Sequence, residues 1–254
     1  MRRVVFNQKG GVGKSTITCN LAAISAARGR PTLVVDLDPQ ANSTRYLLGK
    51  GAEQVDKSLA DFFEGVLSFR LFLDQPASFI QATPFPNLDV LAGHPRMDDL
   101  QHKLESRYKI YKLREALATL AGYEAIYLDT PPALNFYTRS ALIAAETCLI
   151  PFDCDDFSRH ALYNLLANVQ EIQADHNPAL RIEGIIVNQF QARARLPRKL
   201  VDELLAEGLP VLQAFLSASI VVRESHERAL PLIQLDPAHK LCQEFVALYD
   251  SLAA

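Results

Sequence analysis

Residues 7–16 read Asn-Gln-Lys-Gly-Gly-Val-Gly-Lys-Ser-Thr. Glycines beside lysines and hydroxyls can build a cradle for an anion. Glycine lets backbone N–H groups turn toward one point, and a helix start adds unpaired N–H groups and a positive dipole end. Gly10, Gly11, Val12 and Gly13 would supply that backbone. Lys14 can place a point charge on the β- and γ-phosphates, the Ser15 hydroxyl can ligate Mg²⁺, and Thr16 is left for the α-phosphate side. With glycine at about 7% of residues, three fixed glycines occur in roughly one window in 3,000. The spacing departs from G-x-x-x-x-G-K-[ST]. Gln8 stands where the first glycine would fall, and Lys9 precedes a glycine pair. This is the deviant Walker A form, K-G-G-x-G-K-[ST]. Two lysines exceed what one triphosphate requires. Lys9 is then either a solvated surface lysine or a residue that crosses a dimer interface to the partner's nucleotide, which would make dimerisation depend on ATP.

The anion site needs acidic partners for a cation and a water. Val34-Val35-Asp36-Leu37-Asp38-Pro39 ends one apolar run, and Ile126-Tyr127-Leu128-Asp129-Thr130-Pro131-Pro132 ends another. In open α/β sheets, ligands sit beyond the carboxyl ends of the strands. Asp36 and Asp38 are placed there for Mg²⁺ and the attacking water. The second run is a Walker B pattern, whose Asp129 holds Mg²⁺ directly or through water. The proline pair stiffens a segment that could sense the γ-phosphate.

Short β-branched runs must carry these residues. Strands are predicted over 4–7, 32–35, 88–91, 125–128, 147–151, 182–187 and 210–215, with helices over 15–27, 98–105, 110–121, 137–145, 159–174, 197–206 and 239–252. Strands separated by helices imply right-handed crossovers and a mostly parallel sheet with helices on both faces, an α/β fold of the P-loop NTPase type. The near-continuous apolar strands fit burial on both sides. Residues 49–87 are the least regular stretch and read as an elaboration on one domain spanning 1–254.

The three segments together resemble the ParA/Soj family of partition ATPases, within the wider ParA/MinD group of deviant Walker ATPases. The resemblance covers essentially the whole chain in strand–helix order. It implies an ATPase that uses ATP and Mg²⁺, forms a homodimer when ATP-bound, binds DNA non-specifically and is stimulated by a ParB-type centromere-binding partner. By that resemblance Lys9 matches the lysine that reaches across the ATP sandwich dimer, Lys14 the phosphate-binding lysine and Ser15 the Mg²⁺ ligand. Asp38 matches the aspartate that orients or activates the hydrolytic water, and Asp36 and Asp129 match outer or water-mediated Mg²⁺ positions. Asn188, ending the run Ile185-Ile186-Val187, matches the adenine-reading asparagine, and an amide can pair with an adenine edge. A polar strand cap is the other reading of Asn188. The family often carries a Pro-Arg pair after its last strand. Here residues 216–223 read Leu-Ser-Ala-Ser-Ile-Val-Val-Arg, without it.

The chain has 254 residues, 26 Lys+Arg against 29 Asp+Glu, and a formal net charge of −3. That argues against a surface coated in positive charge but allows a local patch. Arg193, Arg195, Arg198 and Lys199 form one dense basic cluster, with Arg223 further on. They are the candidate DNA contacts, since arginine suits phosphates without reading sequence, and a solvated helix start with ordinary charges is the other reading of the cluster. A second run, Lys103 to Arg114, reads as a solvated helical face. The four cysteines form no C-x-x-C pair and read as reduced thiols. No apolar run reaches the ~18 residues of a membrane span. The last predicted helix has apolar Leu241, Phe245, Leu248 and Leu252 but few basic residues, which favours packing over membrane attachment. The expected place is the cytoplasm, on the nucleoid. Alternatives on the same fold are a positioner of a protein cargo and a MinD-like membrane-surface ATPase.

Overall fold

A computed structural model describes residues 1–68, 75–154, 158–191 and 195–253. Its strands are β1 (Arg2–Val5), β2 (Thr32–Asp36), β3 (Ile80–Ala82), β4 (Leu88–Leu91), β5 (Ala125–Asp129), β6 (Thr147–Asp153) and β7 (Arg181–Asn188). Its helices are α1 (Lys14–Ala27), α2 (Asn42–Leu48), α3 (Leu59–Leu67), α4 (Met97–Ser106), α5 (Lys112–Thr119), α6 (Phe136–Ala144), α7 (Ser158–Asp175), α8 (Arg195–Ala206), α9 (Val221–Glu227), α10 (Leu232–Leu235) and α11 (Lys240–Ala253).

Among the described residues the strands form one sheet in the order β3-β4-β2-β5-β1-β6-β7. All neighbours pair in parallel except the edge strand β3, which runs antiparallel to β4. β1 lies between β5 and β6, so the glycine loop that follows it emerges from mid-sheet. Alternate strand residues face opposite layers, because the side-chain period of a strand is two. Val4, Leu33, Val35, Ile126 and Leu128 pack in one core with residues of α3 to α8. Val5, Val34 and Tyr127 pack in the other with residues of α1, α2, α10 and α11. Each fully buried side chain of this size contributes about 1.5–3 kcal/mol, so both faces hold the sheet.

The amino edge carries a paired charge. Arg3 binds Glu183 at 2.8 Å and the Leu252 carbonyl at 3.0 Å, while the Thr147 hydroxyl donates to Glu183 at 2.6 Å. This joins β1, β6, β7 and α11 at the end opposite the glycine loop. A buried charge needs such partners, and this one has them.

Two expectations change. Residues 210–215 run beside β7 but pair with it through one isolated bridge among the described residues, Ile185 to Val211, with a second bridge just beyond both segments, Phe190 to Ser217. Pro210 has no N–H to give a ladder, and Leu212 fills the space over Gly184, where a Cβ would lie 2.5 Å from it. Of the stretch 49–87, the described residues 49–68 and 75–87 hold more regular structure than their glycines and prolines suggest. They contain α3, capped by Ser58 with Asp61, and β3. Phe63 of α3 packs against Phe136 and Tyr137 at 5.9 and 5.4 Å between ring centroids. The predicted helix at the C-terminus is present as α11, with Leu241, Phe245 and Leu248 buried in the core. No described helix is long and apolar enough to cross a membrane.

Candidate nucleotide site

The glycine loop joins β1 to α1. Gly11 and Gly13 have φ of +77° and +86°, which side-chain-bearing residues rarely adopt. Lys14 is the first residue of α1 and is 7% exposed. Its Nζ donates to the Lys9 carbonyl at 3.0 Å, curling the loop around its own lysine. Burial lowers the Lys14 pKa, and Asp129 and Asp38 oppose that shift. The two carboxylates do not offset the burial, so a phosphate would add charge that this lysine can use.

Lys9 turns the other way. Its Nζ lies 3.0 Å from both carboxylate oxygens of Asp153 at the end of β6, and its N–H donates to Asn7 Oδ1 at 2.9 Å. Within one protomer, Lys9 is therefore held to β6. The pair is partly exposed, so its net value is about 0–1 kcal/mol and it can be exchanged for a stronger anion.

The aspartates converge as the sequence implies. Asp36 and Asp129 are opposite each other in the β2–β5 register, and both are fully buried. Thr44 gives Asp36 Oδ2 two hydrogen bonds, 2.8 Å from its N–H and 2.7 Å from its hydroxyl. Ser43 donates to Asp129 Oδ2 at 2.7 Å. Burial raises the pKa of both acids, and Asp129 pushes Asp36 up further. The Ser15 hydroxyl faces Asp129 and favours its charged form. Asp129 Oδ1 is buried without a hydrogen-bond partner among the described residues. An orphaned carboxylate oxygen beside a serine hydroxyl fits a hard cation with water ligands, which binds through few protein groups. No described cluster of three His, Cys, Asp or Glu side chains could hold a metal unaided.

Asp38 lies beyond the end of β2, 6% exposed, and accepts from the Gln40 N–H at 2.9 Å. Burial raises its pKa, and Lys14 is among the groups pulling it down. Asn188 ends β7 directly above the loop. Its Nδ2 donates to the Val12 carbonyl at 2.9 Å, and Gln189 donates to Gly11 at 3.1 Å. Asn188 thus braces the loop. A Cβ on Gly13 would lie 2.4 Å from Asn188 Nδ2.

Of the basic residues, Arg198 and Lys199 lie on α8 and Arg223 on α9. Arg198 and Lys199 are exposed, with Lys199 3.7 Å from Glu203. Glu203 also binds Arg159 at 2.9 Å, so part of the charge there is met within the chain. Arg223 is exposed on α9. Arg193 lies outside the described residues, as does the side chain of Arg195.

Sequence reasoning missed Ser43, Thr44 and Asp153, since a hydroxyl pair and a strand-end acid carry no motif. It also missed Gly93. Its N–H donates to the Thr44 hydroxyl at 2.9 Å, and a Cβ there would lie 2.8 Å from the Asp36 carbonyl and 2.9 Å from that of Asp38. Both are backbone atoms, so Gly93→Ala must displace the acidic strand end. We expect a lower melting temperature and weaker Mg²⁺-dependent nucleotide binding, read by thermal shift with and without Mg-ADP. An unchanged nucleotide-induced shift would show that the strand end tolerates the methyl group.

A mid-sheet strand feeding a two-lysine glycine loop, with aspartates at the ends of neighbouring strands, defines a P-loop NTPase of the deviant Walker A class. An AAA domain family model matches residues 3–182. The chromosome partitioning protein ParA of Myxococcus xanthus is 32% identical over 248 residues, covering 96% of this chain and 84% of its own. The sporulation initiation inhibitor protein Soj of Bacillus subtilis is 30% identical, covering 98% of this chain and 97% of its own. The crystal structure of cobyrinic acid a,c-diamide synthase from Mycobacterium smegmatis, with bound ATP analog and magnesium, superposes with a TM-score of 0.77 at 26% identity. That match covers 94% of this chain and 97% of the other. The chain belongs to the ParA/Soj family of the ParA/MinD group and is a ParA-like ATPase.

Proposed function

We propose that this protein is a DNA-segregation ATPase that binds ATP-Mg²⁺, closes into a sandwich homodimer, and holds DNA non-specifically in that state. The observation that carries the reading is the pairing of Lys9 and Lys14 on one loop beside Asp36, Asp38 and Asp129. Lys14, with the N–H groups of Gly10 to Thr16, would hold the phosphates. Ser15 would ligate Mg²⁺, with Asp36 and Asp129 holding its water ligands. The bound cation neutralises developing charge on the phosphates. Asp38 orients the attacking water and accepts its proton. Asn188 offers its amide oxygen to the base. Lys9 leaves Asp153 for the partner protomer's nucleotide, an exchange favoured because a triphosphate carries more charge than one carboxylate.

The whole chain, 1–254, acts as one ATPase domain under this reading. It works in the cytoplasm on the nucleoid, without a membrane. A ParB-type centromere-binding protein stimulates hydrolysis and so releases DNA. Arg195, Arg198 and Lys199, with Arg193 and Arg223, would contact phosphates, and dimerisation doubles the patch. The test is binding of ATP-loaded protein to random duplex DNA as salt is raised. Affinity should fall at least about 100-fold from about 50 to about 200 mM salt, as counterion release requires for roughly four phosphate contacts. Arg195→Glu with Arg198→Glu should weaken binding at least about tenfold by charge reversal. Salt-insensitive or absent binding would count against the DNA reading, and unchanged affinity in the double variant would move the surface elsewhere.

A further inference from the structure

Thr16 closes the glycine loop, and its hydroxyl is not alone. It lies 2.9 Å from Nε2 of His226 on α9, 210 residues further along the chain. The His226 ring stacks on Tyr46 of α2, with centroids 4.1 Å apart and planes 10° from parallel. Tyr46 is itself fixed. Its hydroxyl accepts from Asn20 Nδ2 at 3.1 Å and meets the Ser225 hydroxyl, which donates to the Leu230 carbonyl at 2.6 Å. Asn20 also donates to the Thr16 carbonyl at 2.9 Å and accepts from the Leu232 N–H at 2.8 Å. Residues of α1, α2, α9 and α10 therefore hold the imidazole at one place and one angle against the loop.

The direction of that hydrogen bond matters. A threonine hydroxyl has one hydrogen and two acceptor sites. With Nε2 bare, the ring takes the hydroxyl hydrogen, and Oγ1 can offer an anion only lone pairs. With the proton on Nε2, the ring donates to Oγ1, and the hydroxyl hydrogen is free to point at the anion. Burial lowers the His226 pKa and so favours the neutral ring, in which the tautomer decides between the two cases.

We propose that His226 is a positioning residue for the nucleotide: its Nε2–H donates to Thr16 Oγ1 and so aims the Thr16 hydroxyl hydrogen at the α-phosphate. This rests on the nucleotide reading of the loop given above. It also ties α9, in the segment that lacks the family's Pro-Arg pair, to the occupancy of the loop.

The experiment compares His226→Phe with His226→Gln. Phenylalanine keeps the ring on Tyr46 and removes the nitrogen, whereas glutamine can return an N–H donor. Mg-ADP affinity measured by calorimetry should fall roughly five- to tenfold in His226→Phe, the value of one hydrogen bond, and recover in His226→Gln. Adding Thr16→Val to His226→Phe should cost no more than Thr16→Val alone, because both break the same chain of donors. Nitrogen NMR of ¹⁵N-histidine-labelled wild-type protein with Mg-ADP should show Nε2 protonated at His226. That last readout needs no variant to fold. Wild-type affinity in His226→Phe, additive losses, or a bare Nε2 in the complex would each overturn the proposal. If Lys14→Ala retained Mg-ADP affinity, or the wild type bound none, the nucleotide reading itself would fall and this assignment with it.

Discussion

Lys14→Ala is expected to abolish nucleotide binding while leaving the fold intact. Lys14 is nearly buried, and among the described residues its ammonium reaches a backbone carbonyl of its own loop by direct hydrogen bond. Burial works against its charge in the free protein, so the lysine is not there for stability. A charged hydrogen bond to phosphate contributes about 1.5–3 kcal/mol, and an ammonium can reach two phosphates at once. Losing both predicts at least a ~100-fold drop in affinity for Mg-ATP and Mg-ADP. The melting temperature without nucleotide should stay within a few degrees of wild type, and the ligand-induced rise should vanish. Calorimetry and thermal shift read the two effects separately. A variant that still bound Mg-ATP with wild-type affinity would show that the glycine loop is not the phosphate site.

Asp38→Ala should have the opposite signature, with binding kept and hydrolysis lost. The Asp38 carboxylate is held by the Gln40 N–H beyond the end of β2, on the side where Lys14 and Asp129 converge. Burial raises its pKa, which makes it a better proton acceptor than an exposed aspartate. It contributes nothing attractive to a phosphate, so its removal relieves repulsion. ATP affinity should match or exceed wild type. Phosphate release should fall by about 10²–10⁴, the range for loss of a general base. The ATP-bound dimer should then persist during size-exclusion chromatography. Hydrolysis at the wild-type rate would remove Asp38 from the chemistry and leave water positioning to another group.

The phosphate loop, the aspartates and the parallel sheet were legible because each is local. The glycine loop needs glycines and lysines at fixed spacing, and Asp36 and Asp129 directly end apolar strand runs. α3 was harder to see, since Gly65 lies inside it and prolines follow, and its helix is held by Phe63 packing on α6. Residues 210–215 had the composition of a strand, but Pro210 has no N–H for the ladder and the segment joins β7 only through an isolated bridge, Ile185 to Val211.

By itself the sequence determined the anion cradle, the acidic strand ends and the alternation that builds a two-sided sheet, because short-range spacing and period decide these. Tertiary structure alone decided who touches whom across long separations. It set Lys9 on Asp153 and Asn188 on the Val12 carbonyl. It put Gly93 against the Asp36 and Asp38 backbone, and His226 on Thr16. Those contacts join residues whose individual types carry no motif. Only the packing of α9 and the ends of β4, β6 and β7 around the loop brings them within hydrogen-bond reach.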